Sequence, residues 1–285
     1  MQKLHFTGVL ANDEYAGFHK EGNMIKKESK LKYTLISIFS LALAIFFWYL
    51  VTDILHLFKP QALPSPTRVF NTLIGKFTKR APDGGTMMQH IWASLGLALY
   101  GFALGAVIGI PVGIAMAWNR RADLFITPIF NFLRPIPPIA WIPLMLIFFG
   151  IGTTAKAAVI FVSTVTNCIL NSYYGINQTK DVHKWVATTF GASRTQILFK
   201  VAIPSALPQI FTGLSLSMNL AWMSLVAAEM LAADKGLGYM IQYARQMART
   251  DLVIAGMIVI TIIGAILNWI LTSIEHAVVK GRHMS

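Results

Sequence analysis

Gly101-Phe102-Ala103-Leu104-Gly105-Ala106-Val107-Ile108-Gly109-Ile110-Pro111-Val112-Gly113 sits inside a run, Gly84 to Asn119, that has no Asp, Glu, Lys or Arg. Hydrocarbon offers no partner to backbone N–H and C=O groups, so a crossing segment is an unbroken helix of about 20 mostly apolar residues. This run contains one. Within it a four-residue step places Gly101, Gly105, Gly109 and Gly113 near one face, where missing side chains let a second helix approach closely. The spacing leaves open whether that neighbour belongs to this chain or to another.

Further charge-free runs extend the pattern: Tyr33–Thr52, Pro135–Ala155 (led in by Leu124–Leu133 with only Arg134 between), Ala157–Thr179, Val201–Ala228 and Leu252–Ile274. The expectation is an all-α integral membrane protein of about six transmembrane helices, the third of them broken. Composition agrees. Of 285 residues 55% are hydrophobic and 13% charged, against about 25% charged in soluble proteins. Cys168 is the only cysteine, which excludes a disulfide scaffold. The net charge of +12 is read as residues that flank spans and face anionic membrane lipid, not nucleic acid.

The first run is too long for a cleaved signal and lacks a small-residue cleavage site, so 33–55 is expected to be an uncleaved anchor. Residues 1–32 read as a polar cytoplasmic tail, 56–89 as an extracytoplasmic or interfacial connection, and 90–280 as the core. With both termini inside, the inner pieces carry 14 of the 24 Lys and Arg, the outer pieces nine, and Arg134 stands in the third segment. That bias favours cytoplasmic termini. The two longer outer stretches, about 60–89 and 232–251, read as amphipathic helices on the membrane surface.

Leu133-Arg134-Pro135-Ile136-Pro137-Pro138-Ile139-Ala140-Trp141-Ile142-Pro143 cannot be one helix, since each proline lacks an N–H and clashes with the turn before it. Two readings fit: a loop at the cytoplasmic surface, or a broken helix whose freed carbonyls face protein or a water-filled path. Arg134 then snorkels, pairs or faces water. On the second reading Arg134, Pro137, Trp141, Asn219, Ser224 and Glu229 border a translocation path. Asn219 is taken as a deep amide needing partners. Glu229 either reaches water at its span's end or pairs with a neighbour.

The stretch 179–204 reads as a cytoplasmic helix–turn–helix. Thr179 is placed to cap a short helix with Val182, Trp185, Val186 and Thr189 to one side. Gly191 stops it. Ser193-Arg194-Thr195-Gln196 matches a capping box, and Pro204 leads into the fifth span. An exposed Trp/Val face suits either a partner's groove or lipid headgroups.

No phosphate loop G-x-x-x-x-G-K-[ST], H-E-x-x-H or G-x-S-x-G is present, and the seven histidines show no metal-ligand spacing. Gly150-Ile151-Gly152-Thr153-Thr154-Ala155 imitates a dinucleotide fingerprint but ends an apolar segment. A membrane-embedded enzyme would have to draw on Glu229, Asp251 or His90, which lie in different segments. A stand-alone secondary transporter would usually show inverted halves, and no internal repeat is evident.

These residues resemble the inner-membrane permease subunit of bacterial ABC importers. That family carries Glu-Ala-Ala, three residues, Gly, nine residues, Ile-x-Leu-Pro, about 100 residues before the C-terminus. Here Gly191 is followed nine residues on by Val201-Ala202-Ile203-Pro204. The Glu-Ala-Ala positions hold Trp185, Val186 and Ala187, of which only the last agrees. Leu63-Pro64-Ser65-Pro66, Leu133–Pro138, Phe149–Gly152, Ala227–Met230 and Gly236–Tyr239 are similar to the nitrate/sulfonate/taurine branch. The resemblance implies a type I (MetI-like) bundle in the bacterial inner membrane. It implies no cofactor in this chain, with ATP and magnesium held by cytoplasmic ATPase subunits. The other implied partners are a second, identical permease and an extracytoplasmic solute-binding protein. It also implies that Trp185, Val186, Ala187, Gly191, Arg194 and Pro204 couple to the ATPase, and that the solute is a small anion or polar molecule.

Overall fold

A computed structural model describes Tyr33 and residues 35–280, so the expected polar tail over 1–32 lies outside the described residues. The chain forms two compact units that divide at Thr67 and Arg68. In the first, α1 (Leu35–Ile54) is apolar, with only 6% of its most hydrophobic window buried. Its last turn, Leu50–Ile54, is a π-turn, and Trp48 Nε1 donates to Pro64 O at 3.1 Å.

The second unit begins within α2 (Pro66–Thr78) and continues with α3 (Met87–Trp118), α4 (Arg120–Leu133), a 3-10 turn (Pro138–Trp141) and α5 (Ile142–Phe149). There follow α6 (Thr153–Asn177), α7 (Asp181–Thr189), α8 (Arg194–Ile197), a π-turn (Leu198–Ala202), α9 (Ile203–Ala232), α10 (Leu237–Gln246) and α11 (Thr250–Lys280). Local chemistry sets the boundaries. Thr86 and Gln89 form a capping box that starts α3. Asn119, extended at φ −122°, ends α3 and caps α4 through its side chain on Arg121 N. α8, the π-turn and α9 make one continuous span, Arg194–Ala232.

The four glycines meet α6. A Cβ on Gly101 would lie 2.7 Å from Ile160 Cβ, one on Gly105 2.5 Å from Thr164 Cβ, one on Gly109 2.8 Å from Cys168 Cβ, and one on Gly113 would strike Ile169 O. Both series ascend, so α3 and α6 run parallel. The chain must therefore return across the bundle between Trp118 and Thr153. α4 and α5 make that return as a bent pair, kinked by 87°. Among the described residues five helices are long and apolar enough to cross a membrane, and the bent pair, taken as one span, makes six. α9 lies antiparallel to α6, with Ser217 Oγ donating to Thr164 O at 3.3 Å and Gln209 Nε2 to Asn171 Oδ1 at 2.9 Å. Ile160, Met218, Ala221, Leu225, Leu237 and Met240 lie in the core between them. Trp222 sits there too, its Nε1 donating to Ile260 O at 3.1 Å, which satisfies the indole's polar edge.

α10 corrects one expectation. It is amphipathic, but Leu237, Met240, Ile241 and Ala244 turn into the core and not toward lipid. Of the two outer stretches, it is α2 that presents an exposed apolar stripe, Phe70, Ile74 and Phe77, at spacings that share one helical face.

Candidate functional site

Three places in the second unit concentrate unusual chemistry. The first is the helix–turn–helix at 181–202. α7 begins at Asp181 with Lys180 at its cap position and no side-chain cap bond. Thr179 therefore does not cap it; its buried Oγ1 has no partner. The far end closes as the glycine demands: Gly191 has φ 76°, its N–H reaches Thr188 O at 2.9 Å, and Ala192 N reaches Ala187 O at 3.0 Å. A left-handed φ is open to glycine and costly for a β-branched residue. Ser193 Oγ accepts from Gln196 N at 3.3 Å while Gln196 Oε1 accepts from Ser193 N at 2.8 Å, a complete capping box. Arg194 Nη2 donates to Trp118 O at 2.7 Å, with its guanidinium 5.7 Å from the Trp118 ring centroid. That contact ties α8 to the end of α3. Pro204 stands in the first turn of α9, directly after the π-turn, where the break in regular α-helical bonding makes room for a residue without an N–H. On α7, Val182, Trp185 and Val186 are all more than half exposed, and Phe190 just beyond it is 87% exposed. Sequence reasoning missed Phe190 because it falls at the helix stop. An aromatic directly before a turn glycine was the available signal.

The second place is the elbow between α4 and α5. It lies against the middle of α6, not beyond its end. A cavity of about 510 Å³ is bordered by Arg134, Pro137, Pro138 and Trp141 on one side and by α6 residues from Val162 to Leu170 on the other. Leu220 of α9 closes it. A second hollow of about 150 Å³ shares Arg134 and adds Asn131, Tyr173 and Tyr174.

The third place is a buried polar network at the other end of the bundle. Lys76, 3% exposed, donates to Gly85 O at 2.7 Å and Ala81 O at 3.2 Å and pairs with Asp83. Asp83 Oδ2 lies 3.2 Å from His90 Nε2. Burial pushes the Asp83 carboxyl up, but the neighbouring His90 and Lys76 outweigh it and hold the group below the usual carboxylate range. His90 Nδ1 accepts from Gly236 N at 3.2 Å, Ser94 Oγ from Leu237 N at 2.8 Å, and Glu229 Oε2 from Gly238 N at 2.9 Å. Three consecutive amides at the start of α10 are thus satisfied by three side chains from α3 and α9. Ser94 Oγ also donates to Glu229 at 2.8 Å.

The candidate path residues therefore separate. Arg134, Pro137 and Trp141 come together at the elbow. Glu229 does not reach water: it is 2% exposed inside the polar network. Asn219 is not the deep amide expected, because it is exposed on α9, while Ser224 is buried. Five residues apart on a helix, they point about 140° away from each other. Lys76, Asp83 and Ser94 were missed. Among the described residues no group of three His, Cys, Asp or Glu is arranged to hold a metal ion.

This architecture can be set beside known proteins. The family model described as binding-protein-dependent transport system inner membrane component matches residues 109–282. The chain belongs to this family. It is 39% identical over 236 residues to the taurine transport system permease protein of Escherichia coli (strain K12), covering 82% of this chain and 84% of that one. It is 31% identical over 221 residues to the putative aliphatic sulfonates transport permease protein of Bacillus subtilis (strain 168), covering 78% of each. To the bicarbonate transport system permease protein of Synechococcus elongatus (strain ATCC 33912 / PCC 7942 / FACHB-805) it is 35% identical over 211 residues, covering 73% and 76%. Among solved structures, an inward-facing MetNI methionine ABC transporter matches with a TM-score of 0.60 at 21% identity, over 67% of this chain and 95% of that one. That likeness establishes the fold, a MetI-like permease bundle. As a member of the family the chain is a multi-pass inner-membrane permease subunit of an ABC importer and not an enzyme, and ATP hydrolysis belongs to a separate subunit.

Proposed function

We propose that the chain carries a small oxyanion-bearing solute, of the sulfonate, taurine, nitrate or bicarbonate kind, along a path beside the α4–α5 elbow. Movement is driven by ATPase subunits that grip α7. The exposed Val182–Trp185–Val186–Phe190 surface carries this reading. Lipid does not require it to stand on a helix locked by a left-handed glycine and pinned through Arg194 to α3. A lever that transmits force does. Trp185, Val186 and Ala187 on α7, the turn at Gly191, and Arg194 and Pro204 beyond it form one coupling element, 179–204, inside the core permease domain, 90–280.

In this scheme both termini and the 1–32 tail are cytoplasmic, 33–55 is an anchor, and 56–89 connects extracytoplasmically. The polar network then lies at the outer end. A second, identical permease completes the path, a binding protein delivers the solute, and ATP with magnesium sits in the ATPase. Alternating access needs only a gap of a few kcal/mol between the two states of the bundle. Arg134, Pro137, Trp141 and Asn219 are the path residues with room around them; Ser224 and Glu229 support its walls.

Gly191→Val tests the assignment. No atom lies within 4 Å of a Cβ built at Gly191, so the change acts through φ alone. The variant is expected to insert and remain folded, to lose copurification with its ATPase, and to lose coupled uptake. Normal ATPase binding and transport by the variant would show that the coupling element lies elsewhere.

A further inference from the structure

We propose that the cavity under the elbow is an anion-binding site in which Arg134 supplies the charge and Trp141 a second donor. Its ligand is the oxyanion group of the solute: a sulfonate, carboxylate or nitrate. The proposal rests on the path reading above and adds to it a place and a chemistry of contact.

A guanidinium is always charged and offers only donors. Exposed between the two halves of an apolar bent pair, it is costly in lipid unless something answers it. Among the described residues, the Arg134 side chain has no hydrogen bond or ion pair, although it borders both hollows. None of the residues around either hollow is Asp or Glu, so no internal counter-ion is at hand. Trp141 supplies the second, independent observation. Its Nε1 is buried and has no hydrogen-bond partner, and an indole N–H can only donate. Leaving such a group unmet is unfavourable. The donors of the facing α6 wall are committed: Ser163 Oγ donates to Ile160 O at 2.7 Å, Thr166 Oγ1 to Val162 O at 2.9 Å, and Asn167 Nδ2 to Ser163 O at 3.0 Å. The charge and the unanswered buried donor bordering the cavity are thus a guanidinium and an indole N–H, which together call for an acceptor with negative charge.

The same features keep the site weak. A single guanidinium, without a fork of further cations, attracts an anion into a low-dielectric passage without holding it there, as conduction requires. A cavity of about 510 Å³ admits a small sulfonate or bicarbonate with water around it.

The test places one cysteine at Ile136, next to the cavity, in a Cys168→Ser background of the whole importer with its ATPase. Two thiosulfonate reagents of similar size are compared, one carrying a sulfonate and one a trimethylammonium group, each rate normalised to a free thiol. One unpaired cation a few ångströms away should favour the anionic reagent by about five- to tenfold. Arg134→Gln should abolish the preference and Arg134→Lys should keep it. Ethanesulfonate should slow labelling by either reagent at constant ionic strength, and Trp141→Phe, which keeps the ring and removes the N–H, should weaken that protection. If Arg134→Gln does not fold, Arg134→Lys, Trp141→Phe and the protection measurement still decide. Labelling without charge preference, or a preference that survives Arg134→Gln, overturns the anion site and leaves the path intact. Inertness to both reagents in resting and ATP-bound states removes the path, and the site with it.

Discussion

The two ends of the second unit solve opposite problems. At the Lys76–Glu229 end, charged and polar side chains are taken out of solvent: Lys76, His90, Ser94 and Glu229 are each at most 3% exposed, and the Asp83 carboxylate is buried although its backbone is not. Their bonds join α2, α3, α9 and α10 across more than 100 residues of sequence. At the α7–α8 end, a short helix displays its apolar side chains, and beyond its turn Arg194 donates to Trp118 O at the end of α3. Buried paired charges are expensive to break, because removing one partner strands the other. An exposed helix held by turn geometry is free to take part in something else. One end is built to stay, the other to be held by a partner.

The largest effect that would break this contrast is at Asp83. Asp83→Ala leaves Lys76 buried without its carboxylate and is expected to cost about 3–5 kcal/mol, read as lost thermal stability in detergent. The paired change Lys76→Met with Asp83→Leu should recover most of it. A drop no larger than that of a surface substitution would mean that the network does not hold this end.

Acid sharpens the same point with a smaller effect. The Asp83 carboxyl is held below its ordinary value in the fold. Its contribution is therefore complete above the ordinary carboxylate pKa and is lost as pH falls through the depressed one. Stability should decline on the acid side of about pH 4, and that part of the decline should be missing in the Lys76→Met, Asp83→Leu pair. An unchanged acid limb in the pair would assign it to other groups.

The smallest effect on stability is expected at the other end. Trp185→Ala removes a side chain that is 68% exposed, so the fold should change by less than about 0.5 kcal/mol. ATPase copurification should nevertheless fall clearly. Equal losses of stability and ATPase binding would mean that Trp185 packs within this chain's own fold.

The crossings were legible because hydrocarbon punishes charge: the charge-free runs and the helices α1, α3, α6, α8–α9 and α11 coincide to within seven residues at every end. Cap chemistry was legible at Ser193 and Gly191, where spacing and residue type act within one turn of backbone. It misled at Thr179, where the cap position falls one residue later, at Lys180, with no side-chain cap bond. The polar network was not legible. Lys76 and Asp83 look like ordinary loop charges, and only the placement of α10 against α3 brings His90 and Ser94 to the amides of Gly236 and Leu237. Asn219 was misplaced for the same reason: helical period orders residues around an axis but does not say which side meets a neighbour.

The elbow also bears on how the protein is made. α4 has 14 residues and α5 eight, about 21 and 12 Å of helix against a hydrocarbon layer of about 30 Å. Neither half crosses alone, and Arg134 between them adds an insertion penalty of about 2.5–3.5 kcal/mol at the centre. α1 and α3 partition into the bilayer as they emerge from the ribosome. The α4–α5 pair gains its wall only when α6 has followed it, so its integration should be delayed past its synthesis. For this segment, order in the gene and order of entry into the membrane are then expected to differ.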